Sequence, residues 1–238
     1  MVRLPAAASH KLARVLRAQV GEYVKLFNAD GGEWLAELVE VRKSGVIARL
    51  VEQTRQPHVP PDIWLAFAPV KKANLDFLVE KATEMGVRRL QPILTDRTEN
   101  RRIKLDKLAA TISDAAEQTE RLDVPEIMEP CSLSDLLRTL PEGRPVLAGF
   151  ERGEAQPLAA VAQDLPADQP PLILTGPEGG FTRAELDLLG QHPAVRPISL
   201  GPRILRAETA ALAALAVVQS LWGDWGADRP ADSFADPD

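Results

Sequence analysis

The chain has 238 residues, 45% of them hydrophobic, and a formal net charge of −6. That length allows one large domain or two smaller ones, and the apolar share suffices for a packed core. No run of about 18 apolar residues occurs, so no membrane-spanning helix is expected. The opening residues are too poor in apolar side chains for a signal peptide. One cysteine, Cys131, and three histidines argue against an internal disulfide and a metal site, and fit a reducing cytoplasm.

The charge is unevenly distributed. Residues 1–121 hold 20 Lys/Arg against 16 Asp/Glu, a net +4, whereas residues 122–238 hold 8 against 18, a net −10. A basic first half is compatible with one surface that faces nucleic acid, although solvated faces also vary in charge.

His10 to Arg17 predicts a short amphipathic helix, with Leu12, Val15 and Leu16 at helical spacing and His10, Lys11, Arg14 and Arg17 off that apolar face. From Tyr23 the pattern changes to short strands, Tyr23 to Phe27, Glu33 to Val41 and Val46 to Glu52. Turn signals at Asn28–Gly32 and Lys43–Gly45 separate them. This predicts a small β-barrel, with Gln53 to Pro61 as a proline-rich linker.

A second domain is expected from residue 61. Ile63 to Ala68 is a continuous apolar run, hence a buried strand. Lys71 and Lys72 follow. Leu75, Leu78, Val79, Ala82 and Met85 then trace one helix face that ends at Gly86. Val87 to Leu94 predicts a strand closed by Thr95-Asp96-Arg97-Thr98, and residues 103–122 a long helix. In that helix Glu117 and Arg121 are spaced for an i, i+4 ion pair, while Gln118 has no such local role. Helices over 133–140 and 157–164 alternate with strands over 145–150 and 172–175, the signature of a parallel sheet.

Two stretches then carry the chemistry. Leu172-Ile173-Leu174-Thr175 runs into Gly176-Pro177-Glu178-Gly179-Gly180-Phe181, after which Thr182 and Glu185 form a capping box. The unit is strand, glycine loop, helix. It lacks the Gly-Lys-Ser/Thr of a phosphate loop and the spacing of a dinucleotide fingerprint. Such a loop suits a ligand read by backbone groups, or it is simply a strand-to-helix turn. Pro197 to Ala210 repeats the plan, Pro-Ile-Ser-Leu-Gly-Pro-Arg-Ile-Leu-Arg-Ala-Glu-Thr-Ala, with a Gly-Pro loop leading into a helix over 207–222 that is apolar on nearly every side. A helix of that kind must be buried, and a partner chain is the expected cover. Residues 224–238, rich in Asp, Ala and Pro, predict a disordered tail.

Together, Thr-Gly-Pro-Glu-Gly-Gly and Leu-Gly-Pro-Arg-Ile-Leu-Arg-Ala-Glu-Thr-Ala resemble the RsmE family of the SPOUT class. The resemblance extends to His10 followed by Val-Leu-Arg and Gly21-Glu22, to Lys…Glu80-Lys81…Glu84-Met85-Gly86-Val87 with Met85 where Leu is usual, and to Glu117-Gln118-x-x-Arg121. It implies an α/β fold: a SPOUT-type parallel sheet with a C-terminal trefoil knot over residues 61–223, and a PUA-like β-barrel that binds RNA over residues 1–60. It also implies S-adenosylmethionine as cofactor, N3 of a uridine in 16S ribosomal RNA of the small subunit as target, and a homodimer. The cofactor pocket would comprise Leu174, Thr175, Gly176, Gly179, Ser199, Leu200, Gly201, Ile204, Leu205 and Thr209. RNA contacts would fall to His10, Lys11, Arg14, Arg17, Lys71, Lys72, Arg97, Gln118 and Arg121. Arg203, Arg206 and Glu208 are the catalytic candidates. The arginines would stabilise charge on the base, and Glu208 would act as a base or pin an arginine. Alternatives are a SPOUT enzyme acting on ribose 2′-OH or on transfer RNA, and a non-catalytic RNA-binding homologue.

Overall fold

The computed structural model describes residues 1–150 and 154–226; of the tail expected over 224–238, residues 227–238 lie outside the described residues. The chain forms two compact units, one covering Met1–Val59 and the other starting at Pro60.

In the first unit, strands β1 (Val2–Arg3), β2 (Tyr23–Asn28), β3 (Gly32–Arg42) and β4 (Gly45–Arg55) form one antiparallel sheet in the order β1-β4-β3-β2. The Asn28 side chain accepts from Gly31 N–H and shapes the β2–β3 turn. Leu4, Ala36, Leu38, Val46 and Ala48 are buried beneath helix α1 (Ala6–His10). Ser9 fastens that helix, donating to Leu4 O and accepting from Val46 N.

Two expectations are corrected here. The predicted amphipathic helix over 10–17 is a π-helical segment, Lys11–Leu16, ended by Arg17 at φ 55°. The wider turn changes the phase, so Leu12 and Ala13 pack on the core while Val15 and Leu16 are 65% and 60% exposed. The linker starts later than Gln53, because β4 continues to Arg55 across register shifts opposite β3, where Thr54 Oγ1 donates to Glu33 at 2.7 Å.

The second unit is built on a parallel sheet. Its strands are β5 (Trp64–Phe67), β6 (Arg89–Leu94), β7 (Glu126–Ile127), β8 (Cys131–Ser132), β9 (Val146–Gly149), β10 (Gln156–Pro157), β11 (Leu172–Thr175) and β12 (Val195–Ser199). The order is β10-β12-β9-β11-β5-β6-β7, with β8 paired to the far end of β6. Strand β11 is inserted between β9 and β5, so the glycine loop leaves from the middle of the sheet. Ligands of open α/β sheets bind at carboxyl ends where strand order switches in this way. Leu172, Ile173 and Leu174 are fully buried, as a central parallel strand requires.

Helices α2 (Lys72–Glu84), α3 (Leu105–Gln118), α5 (Leu158–Gln163) and α7 (Ala207–Leu221) contribute to one core layer, while α4 (Leu133–Arg138) and the strand side chains pointing the other way form a second. Helix α6 (Arg183–Gln191) opens with the expected capping box of Thr182 and Glu185. Helix α3 stops at Gln118, short of the predicted 122, and Glu120 takes φ 55°. Arg121 therefore leaves the helix axis, and it forms an ion pair with Asp123. Helix α7 buries Ala211, Ala214, Leu215 and Val218, while Leu212, Val217 and Trp222 are partly buried and Leu221 is 40% exposed.

Candidate active site

The first loop follows Thr175, which is itself buried and whose carbonyl accepts from Ala68 N at 3.1 Å. Gly180 adopts φ 67°, a conformation that side chains disfavour, and this sets the turn into α6. Gly176 is favoured by packing instead, since a β-carbon there would lie 3.0 Å from the Phe181 ring, which would have to shift by a few tenths of an ångström. At Gly179 a β-carbon would meet only the Arg97 side chain, at an ordinary 3.4 Å.

Neighbouring loops hold this one in place. Arg97 donates to Gly179 O at 2.7 Å, Lys71 N donates to Glu178 Oε1 at 3.3 Å, and Asp96 N donates to Glu185 Oε1 at 2.9 Å. Asn100 and Arg101 extend the network to Val70 O and Thr95 O. Three loops at the carboxyl edge, after β5, β6 and β11, are thus one hydrogen-bonded assembly. Glu178 spends one oxygen within it and stays exposed, so the loop carries no cation of its own and presents mainly backbone groups.

The second loop, residues 200–206, is more open. Ser199 Oγ accepts from Gly201 N at 3.2 Å, and Gly201 takes φ 105°. Leu200 packs against the core, whereas Leu205 is half-buried and Thr209 is exposed. Ile204 is 73% exposed, an apolar side chain without cover. Arg203 and Arg206 are exposed and have no ion pair among the described residues. Two residues on, Glu208 is buried, 8% exposed, in the first turn of α7. Its Oε1 accepts from Asn74 Nδ2 at 2.9 Å, and its Oε2 is out of solvent with no partner. The idea that Glu208 pins an arginine is therefore corrected: its partner is an amide. Leaving a buried acceptor without a donor costs about 1–3 kcal/mol, the kind of cost seen where a ligand completes the set.

The RNA-contact candidates separate into two groups. His10, Lys11, Arg14 and Arg17 lie on or beside the π-helical segment, with Arg14 and Arg17 exposed. Lys71, Lys72 and Gln118 are exposed in the second unit. Arg97 is exposed and gives Nη1 to the glycine loop, whereas Arg121 is committed to internal bonds. Arg121 reaches Thr83 O, Val87 O and both oxygens of Asp123, with its side chain 11% exposed. It ties the end of α2 to the chain after α3, so its assignment to RNA is corrected to a structural role. Arg97 shapes the glycine loop.

Asn74 was absent from the sequence expectations. Its signal was there: it precedes Leu78 by four residues, so a polar side chain falls on an otherwise apolar face. Nothing in the sequence pointed to Arg97 holding Gly179, a contact across 82 positions. Among the described residues no cluster of His, Cys, Asp and Glu could hold a metal, and no helix is long and apolar enough to cross a membrane.

This arrangement fits an adenosyl sulfonium better than a phosphate ligand. It has glycine-flanked backbone, an uncovered isoleucine, and carboxylate rather than cationic groups buried nearby. Two family models match the chain, an RNA methyltransferase domain over residues 57–219 and an RNA methyltransferase PUA domain over residues 4–51. Fold and site define the class, an RNA methyltransferase with a PUA unit and an α/β unit. Ribosomal RNA small subunit methyltransferase E of Rickettsia conorii is 34% identical, over 89% of this chain and 86% of that protein. Its counterpart in Bacillus subtilis is 30% identical, over 88% and 86%. The chain belongs to the ribosomal RNA small subunit methyltransferase E family. The crystal structure of that enzyme from Neisseria gonorrhoeae bound to S-adenosylmethionine superposes with a TM-score of 0.80 at 28% identity, covering 94% of this chain and 93% of that one. A Legionella pneumophila protein in complex with the same cofactor gives 0.78 at 32% identity, over 94% and 93%.

Proposed function

We propose that this protein methylates N3 of a uridine in 16S ribosomal RNA of the small subunit, with S-adenosylmethionine as methyl donor. One observation carries the reading. Two exposed arginines without an ion pair among the described residues lie in the loop that follows β12, and a buried, half-partnered carboxylate follows in the first turn of α7. When bound, S-adenosylmethionine supplies an electrophilic methyl group. The new bond joins it to N3, and the electron pair of the broken S–C bond returns to sulfur.

The residues of the chain do the rest. Leu174, Thr175, Gly176 and Gly179 from one loop, with Ser199, Leu200, Gly201, Ile204, Leu205 and Thr209 from the other, hold the cofactor mainly by backbone groups. In this reading the same two loops form the trefoil knot. Neutral uracil carries a proton on N3, and pairing hides that edge, so the target uridine is single-stranded or flipped out. Arg203 and Arg206 donate to the uracil O2 and O4 as charge builds there, an effect largest in the transition state. Glu208 Oε2, an acceptor without a donor, takes the N3 proton. His10, Lys11, Arg14 and Arg17 position the RNA through its phosphates. The partly open side of α7 is closed by a second copy in a homodimer, and the enzyme works in the cytoplasm.

The test is nucleoside mass spectrometry of ribosomal RNA from a strain lacking this protein. Loss of 3-methyluridine from 16S RNA, restored by the purified enzyme with S-adenosylmethionine, is expected. Loss of a ribose-methylated nucleoside, or of a transfer RNA modification, would sink the assignment. A chain starting at Asp62 should keep cofactor affinity and flatten log K against log salt by about 0.7–0.9 for each phosphate contact removed.

A further inference from the structure

The first turn of α2 receives a carboxylate from each candidate loop. Glu178, from the loop after β11, accepts from the backbone N–H of Lys71. Glu208, just past the loop after β12, accepts from the side-chain amide of Asn74 at 2.9 Å. Lys71 is the N-cap of α2, and Asn74 lies one turn in. Carboxylates are favoured at a helix N-terminus, so this turn gathers the two loops electrostatically as well as by hydrogen bonds.

The two contacts differ in what they leave behind. Glu178 sits in a loop already fixed by Arg97. Glu208 is nine-tenths buried, and only one of its oxygens is used. An amide donor can satisfy one carboxylate oxygen while its own carbonyl cannot donate to the other. Asn74 thus fixes which oxygen is engaged and leaves the second, the buried Oε2, without a donor. A lysine or arginine in the same place would bring a formal charge and further donors to the carboxylate.

We infer that Asn74 is a positioning residue for methyl transfer, acting through Glu208 by orienting its carboxylate so that Oε2 faces the N–H of the target base. The inference rests on the proposed role of Glu208 as proton acceptor. The proton leaves N3 for Oε2, the N3 lone pair forms the bond to the methyl carbon, and no further reactant is needed.

The experiment is a double-mutant cycle on the full chain, with steady-state kinetics, cofactor affinity by calorimetry and melting temperature for every variant. Glu208→Gln keeps an acceptor for Asn74 and removes the base, and should lower kcat about 100-fold or more. Asn74→Ala should lower kcat about tenfold while KM for RNA and the Kd for S-adenosylmethionine stay within about twofold. The double variant should be no slower than Glu208→Gln alone, the non-additivity of residues acting as a unit. Additive losses in the double variant would overturn the inference, as would an Asn74→Ala protein that loses cofactor affinity and melting temperature in step with rate. A slow Glu208→Gln with a fully active Asn74→Ala would overturn the role of Asn74 alone. A fully active Glu208→Gln would remove the acceptor role and, with it, this inference. Asn74→Ser, which keeps a short donor, provides the same comparison if the alanine variant does not fold.

Discussion

The two edges of the parallel sheet use the same residue types for opposite ends. At the amino edge, Arg144 and Arg89 stack on the two sides of Trp64, at 3.8 and 4.0 Å from the ring centre. Arg144 also bonds both the carbonyl and the carboxylate of Asp62, Trp64 Nε1 donates to that carboxylate, and Arg89 pairs with Glu126. Burial pulls the Arg144 guanidinium below its usual range, and the Asp62 carboxylate opposes that pull. At the carboxyl edge, Arg203 and Arg206 have no such partners, and the carboxylate near them is bonded to an amide instead. An arginine stacked, paired and buried is committed to stability. An arginine left exposed and without an ion pair among the described residues keeps its donors for another molecule.

The largest expected effect tests the amino edge. Trp64→Ala removes the ring between two guanidinium groups and should destabilise the fold by about 3 kcal/mol, measured by denaturant unfolding. Cofactor affinity of the folded variant should be unchanged, and its loss would show that the two edges are not independent. Next comes Arg206→Ala, which should cut kcat about 100-fold, equivalent to about 2.7 kcal/mol, with little change in melting temperature or in RNA affinity. Equal losses in rate and RNA binding would make Arg206 an anchor, as ordinary as the arginines of the other edge.

The glycine loop gives a finer contrast. Gly180→Ala forces a side chain into φ 67° and should cost about 1–2 kcal/mol of stability. Gly179→Ala meets only an ordinary contact with a flexible arginine, so its stability should stay within about 0.5 kcal/mol. A Gly179→Val protein that folds but loses cofactor affinity would show that the cofactor approaches this backbone closely; unchanged affinity would take Gly179 out of the pocket. The smallest effect concerns Cys131, which pairs with the carboxyl-end half of β6. Burial pushes its thiol up, and Asp135 adds to that. The thiolate is the reactive form, so alkylation at pH 7.5 should be several-fold slower than that of a free cysteine and should speed up as pH rises. Fast alkylation at neutral pH would mean that the carboxyl edge activates groups indiscriminately.

Much of this could be read along the chain because the cues are local. The run Leu172 to Thr175, the capping box at Thr182, and Gly86 closing α2 at φ 86° depend on periodicity and on residues three or four apart. The two Gly-Pro loops were legible as motifs for the same reason, and so was the alternation that gives a parallel sheet. Val15 and Leu16 were misread because helical spacing assumes an α-helix, and the π turn rotates them outward.

Only the tertiary structure decided how the polar groups are spent. Arg121 reads as a cation for RNA, yet it holds Thr83 O, Val87 O and Asp123, and the exposed Arg97 also holds Gly179 O. Glu208 met Asn74 across 134 positions. Hydrogen-bond partners at such separations are set by which loops the sheet order brings to one edge, a consequence of β11 lying between β5 and β9. The sequence by itself determined the strands, the loops and the kinds of side chain they carry. Which of those side chains are satisfied, and that the buried Glu208 Oε2 is not, came from packing alone, because burial and distance have no period along a chain.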